Sequence, residues 1–127
     1  MATPDSPALA KETYINLESF KKDGGGVKTP VWCAGLDGKI VVLTDGTSYK
    51  VKRIRRNPKV RVAPCDMRGE VRGPWVEGEC QVIEDPAHAE RAHRALRDKY
   101  GWLFRLTDAA SRLAGRIGRR AYLEITV

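Results

Sequence analysis

The stretch SYKVKRIRRNPKVRVA, Ser48 to Ala63, decides how the rest of the chain is read. Val51 and Ile54 lie three apart and share one face of a helix, as about 3.6 residues per turn requires. Thr47 and Ser48 are candidate N-caps, because a side-chain oxygen there accepts a bond from an orphan N–H of the first turn. Pro58 ends the helix by disfavouring helical backbone at Asn57. Lys59 to Ala63 then alternates like a strand with one wet face. Between Lys50 and Arg61 stand seven basic residues (Lys50, Lys52, Arg53, Arg55, Arg56, Lys59, Arg61) and no acidic one.

A solvated helix face, a nucleic-acid contact and a dock for a small phosphorylated ligand all accommodate that charge. The chain supplies no helix-turn-helix, zinc-finger or RNP-type signature, and its aromatic content of 7% is thin for base stacking. The order of elements favours the third reading. An apolar, β-branched strand (Ile40–Thr44) leads through Asp45-Gly46 into a helix whose first turn offers Thr47, Ser48, Tyr49 and Lys50. Helix N-termini carry free N–H groups and partial positive charge, so a phosphate docks there. The P-loop pattern G-x-x-x-x-G-K-[ST] is absent.

Upstream, residues 1–12 read as a flexible arm, at most a short helical turn. Thr13 to Lys21 partly alternates, with Ile15 and Leu17 on one face and Asn16 and Glu18 on the other. Asp23-Gly24-Gly25-Gly26 is a turn, and Val27 to Ala34 is the return strand, with Pro30 suited to an edge. Leu36 to Lys39 predicts the next turn. Downstream, Val76, Cys80 and Val82 face one way and Trp75, Glu77, Glu79 and Gln81 the other. Asp85-Pro86 opens a helix to about Tyr100 with Ala89, Ala92, His93 and Leu96 as its inner stripe. Thr107 to Gly115 predicts a short helix and Tyr122 to Val127 a final strand. Residues 13–127 thus form one α+β domain, a small β-barrel carrying two or three helices.

With 127 residues, 42% hydrophobic and 31% charged, the chain suits one globular domain. Its net charge of +7 points to anionic partners. Cys33, Cys65 and Cys80 are odd in number and widely spaced, which argues for reduced, buried thiols rather than disulfides or zinc. No apolar run reaches the roughly 18 residues of a membrane span. The N-terminus lacks a signal-peptide pattern, so the expected location is the cytoplasm.

The series TPVW, DGKIVVLT and SYKVKRIRRNPKVRVA resembles the split β-barrel flavin and deazaflavin oxidoreductases, the pyridoxamine-phosphate-oxidase-like superfamily. Within it the chain is most similar to the branch that uses the deazaflavin coenzyme F-420. The resemblance spans roughly Thr13 to Ile83 and implies a six-stranded split barrel that dimerises, with cofactor in a groove near the interface. It implies that Lys50 and Ser48 meet the cofactor phosphate with Thr44 close by. Lys52, Arg53 and Arg56 would answer the charges of the oligoglutamate tail. Thr29, Pro30, Val31 and Trp32 would run beside the ring, and Trp75 would line the groove or fill the dimer core. FMN is the alternative cofactor, although Tyr49 stands where FMN-binding relatives often place an arginine. The longer C-terminal segment of true pyridoxamine-phosphate oxidases is absent, which argues against that reaction. The implied activity is hydride transfer from the reduced deazaflavin to an unsaturated small molecule. A non-catalytic basic module, storing cofactor or binding nucleic acid, is the reading from a different class. No nucleophile constellation is visible; His88 and His93 are candidate proton donors on the helix after Asp85.

Overall fold

The computed structural model describes residues 6–46, 48–113 and 120–127. Apolar residues at alternate positions line a barrel. Ile15 and Leu17 come from β1 (Tyr14–Phe20), Val31 and Cys33 from β2 (Gly26–Leu36), and Ile40 and Val42 from β3 (Lys39–Asp45). Val60 and Val62 come from β4 (Lys59–Cys65), Cys80 from β5 (Val76–Val82), and Leu123 and Ile125 from β6 (Arg120–Thr126). Side chains of a strand alternate between faces, so this register sends one apolar set inward. The strands close in the order β1-β2-β3-β6-β5-β4, all neighbours antiparallel, with β4 paired back to β1. The β2–β3 hairpin turns tightly through Asp37 (φ 53) and Gly38 (φ 76), the two left-handed residues that a primed turn demands.

Helices plug both ends. At the β2–β3 hairpin end, α1 (Ser6–Ala10) inserts Leu9 and Ala10 into the barrel core. The stretch expected as a loose arm or helical turn therefore contributes a buried leucine. Lys99 holds it by donating to the carbonyls of Ala10 (2.7 Å), Cys33 (2.6 Å) and Glu12. At the opposite end, α2 (Tyr49–Arg56) buries Val51 and Ile54 under its cationic surface.

A second core lies on the outer face of β2, β3 and β6. There α3 (Pro86–Tyr100) and α4 (Trp102–Leu113) cover Ala34 and Val41 with Ala92, Leu96 and Phe104. Asp85 caps α3, accepting from Ala87 N at 3.3 Å. The described residues hold four helices, where two or three were expected. The last starts at Trp102 rather than Thr107, immediately after the positive-φ corner at Gly101.

The outer face of β1 is covered. Asn16 and Glu18 are buried beneath the β4–β5 connection. Asn16 donates to Gly69 O at 2.9 Å, and Glu18 pairs with Arg61 at 2.5 Å. Trp75 lies between two cations of the flanking strands, 5.2 Å from Lys28 and 5.1 Å from Arg61. Polar alternation placed these side chains on the outer face correctly; a loop far away in sequence buries that face.

Candidate functional site

The ring of strands is closed, but β2 and β3 are paired along only part of their length, which leaves a seam between them. β2 pairs with β1 over its whole first half, Gly26 to Trp32, but with β3 only from Cys33 to Leu36. β3 continues alone to Asp45 with β6 as its other neighbour. The strands thus diverge, and one lip of the gap is β2 from Gly26 to Trp32. Backbone groups of an antiparallel strand alternate between its two neighbours. Pro30, which has no N–H to satisfy, is placed on this half-paired stretch, where a proline costs least.

The other lip leads into the N-terminal end of α2. Ser48 is the N-cap, its Oγ accepting from Val51 N at 3.4 Å. Lys50 reaches back so that its Nζ donates to Thr44 Oγ1 at 3.3 Å. Burial holds the Lys50 pKa below the usual lysine value, with Arg53 adding in the same direction. No carboxylate among the described residues pairs with this ammonium. Ser48, Thr44 and Lys50, chosen from sequence, therefore meet at one helix N-terminus. Thr47 falls outside the described residues.

The other expected cations are placed differently. Arg53 donates to Ser19 Oγ at 2.8 Å, and Arg56 to the Phe20 carbonyl at 3.4 Å. Arg55 pairs with Glu84 at 2.7 Å. Lys52 is exposed, its Nζ 5.2 Å from the centre of the Tyr49 ring. Arg53 and Arg56 thus fasten α2 to the end of β1, while Lys52 stays at the surface. Thr29 and Val31 lie on the β2 lip, but the Trp32 ring stacks on Tyr100 at 4.5 Å. Trp75 sits across β1 from this lip, between Lys28 and Arg61. A cleft of about 640 Å³ opens at the other end of α2, where Lys21, Lys22, Lys59 and Arg61 face Glu77 and Glu79. Its mixed charge distinguishes it from the N-terminus of α2, where Lys50 has no carboxylate partner among the described residues.

α4 crosses the outer side of the seam. Phe104 meets Trp32 on one lip, with 6.2 Å between ring centres. Asp108 pairs with Arg120, which lies opposite Asp45 at the end of the other lip. Behind this helix His93 Nδ1 and the Tyr122 hydroxyl are 2.6 Å apart, and His93 Nε2 is 3.5 Å from Asp108 Oδ2. Burial pushes the His93 pKa down against the pull of Asp108, and burial pushes the Tyr122 hydroxyl up against Arg120. His93 was legible as a helix-stripe residue. Asp108, Arg120 and Tyr122 were not singled out, since their meeting depends on how α4 docks. His88 approaches Glu124 at 2.9 Å on the outer face of β6. All three cysteines are free and buried; burial raises Cys33 to about 11 and Cys80 to about 12, so neither thiol is a ready nucleophile.

A closed antiparallel six-stranded barrel in which β2 and β3 part at one end, with a cationic helix beside the parting, is a split barrel. The chain belongs to the pyridoxamine 5'-phosphate oxidase family, which it matches over residues 6–127. Among solved structures it is similar to the conserved hypothetical protein Rv2991 of Mycobacterium tuberculosis, at TM-score 0.70 and 22% identity, covering 94% of this chain and 75% of that one. It is also similar to HutZ, the heme storage protein of Vibrio cholerae, at TM-score 0.70 and 10% identity over 93% and 83% of the two chains. A nimC/nimA family protein of Clostridium acetobutylicum matches at TM-score 0.60 and 15% identity over 94% and 76%. These likenesses concern the fold. A search of curated proteins returns no match.

Proposed function

We propose that the protein is an oxidoreductase that binds the deazaflavin F-420 with its phosphate at Ser48 and Lys50 and its ring along the β2 lip. One observation carries this reading. Lys50 is a half-buried cation at a helix N-terminus, hydrogen-bonded to a threonine and paired with no carboxylate among the described residues. A buried charge without a counter-ion is costly. An anionic phosphate offsets that cost and takes up the N-terminal N–H groups of α2 as well. Bound deazaflavin would supply hydride transfer to an unsaturated small molecule, and the chain would supply position and electrostatics.

The choice of F-420 over FMN rests on charge. Beyond the phosphate, Lys52 remains exposed on the first turn of α2. FMN ends at its phosphate, whereas F-420 continues into a polycarboxylate tail. Tyr49, 75% exposed, stands where an arginine would favour FMN. The expected homodimer and the cytoplasmic location belong to the same reading. No described helix is long and apolar enough to cross a membrane.

The test is a titration with F-420 and, separately, with FMN, followed by cofactor fluorescence at moderate salt. Saturable binding that prefers F-420 and falls by ten-fold or more in Lys50→Ala is expected. Preference for FMN would keep the site and change the cofactor. Binding that Lys50→Ala leaves intact would remove the phosphate from this position.

A further inference from the structure

A chain of four polar side chains ties three elements together on the outer wall of the seam. Tyr122 and Arg120 come from β6, His93 from α3 and Asp108 from α4. Tyr122 reaches His93 Nδ1 at 2.6 Å, and His93 Nε2 faces Asp108 Oδ2 at 3.5 Å. Arg120 closes the chain on the other oxygen of Asp108. Phe104 of α4 packs edge-on to His93, with 5.1 Å between centres, so the imidazole sits under the helix that crosses the seam.

We propose that this chain is a proton-operated latch, which holds α4 across the seam while His93 is neutral and lets it lift when the imidazole takes up a proton. In the neutral state the bonds are consistent. The Tyr122 hydroxyl donates to Nδ1, and Nε2–H points at Asp108. A proton added at Nδ1 sets donor against donor at 2.6 Å, and the Tyr122 hydroxyl proton must turn away from the ring. The added charge is also badly placed. The charged groups acting on His93 are Asp108 from α4, Arg120 from β6, and Glu90 and Arg97 from its own helix. A cationic imidazole makes three positive groups against two negative ones, in a half-buried position. Burial already disfavours the charged ring, so the transition lies below the ordinary imidazole value of 6.5.

Hydrogen–deuterium exchange on the full chain tests the latch, with intrinsic rates corrected for pH. Between about pH 8 and about pH 5, protection across α4 should fall ten-fold or more while β1, β2 and β3 stay protected. His93→Gln keeps an acceptor for Tyr122 and a donor for Asp108 but cannot take the proton, so α4 should stay protected at both values. Tyr122→Phe removes the bond that favours the neutral ring, so the midpoint of α4 release should move to higher pH. An α4 whose protection ignores pH, a Gln variant that responds like wild type, or a Phe variant with an unmoved midpoint would each overturn the latch. One consequence rests on the proposed function: F-420 should enter the seam faster in mild acid in wild type and not in His93→Gln. If F-420 fails to bind while exchange behaves as stated, the latch stands and the cofactor reading falls.

Discussion

At the scale of single residues, Lys50 stands out because its environment and its charge disagree. Burial lowers its pKa, with Arg53 second. A bound phosphate would raise it again, so ligand binding and proton binding at this nitrogen are coupled. The sign is fixed: the free protein loses the Lys50 proton at lower pH than the complex does. Affinity for a phosphorylated ligand should therefore be full at neutral pH and weaken as pH rises through the depressed value, before the ordinary lysine value of 10.5 is reached. A series of dissociation constants across that range checks it. A flat profile would mean that the anion sits elsewhere. The sequence marked this lysine by its place after a strand, a glycine turn and a cap. It did not mark Arg53 and Arg56 as fasteners, because their partners Ser19 and Phe20 lie on a strand some thirty residues earlier.

At the scale of elements, the helices with strong end signals were the ones legible in advance. Ser48 with Pro58 bounded α2, and Asp85-Pro86 opened α3. α4 was misplaced at its start because its apolar residues lie on both sides. Phe104 is buried, whereas Trp102 and Leu106 are 68% and 58% exposed, so no single stripe marks the helix. Ser48 is the N-cap, and the proposed function also makes it part of the anion site; substitutions can separate the two roles. Ser48→Ala removes the acceptor for Val51 N and should cost about 1 kcal/mol in denaturant unfolding. Ser48→Asp caps equally well and suits the helix dipole, so stability should be kept or slightly raised. Its carboxylate would nevertheless repel a phosphate beside Lys50, and binding should fall ten-fold or more. A stable Ser48→Asp protein with undiminished affinity would refute the shared role.

At the scale of the whole molecule, strand content and barrel class followed from alternation, but the seam did not. It arises from register, since β2 is eleven residues long and only its last four pair with β3. No local pattern states where two strands part. The same geometry separates the two plugs: α1 closes the barrel beside the β2–β3 hairpin, and α2 closes the end that β3 reaches at Asp45. Leu9 is 1% exposed and belongs to the same apolar cluster as Ile40 and Ile125. Leu9→Ala should lower unfolding free energy by about 2–5 kcal/mol, since a buried leucine leaves both lost transfer energy and a cavity. The site at Lys50 lies at the far end of a seven-residue strand, roughly 20 Å away by strand rise. Effects at such separation are normally independent. Below the unfolding transition, the Leu9→Ala protein should therefore bind phosphorylated cofactor with unchanged affinity. Loss of affinity in step with stability would show that the barrel transmits strain from one plug to the other, and that the seam is held open by packing at both ends.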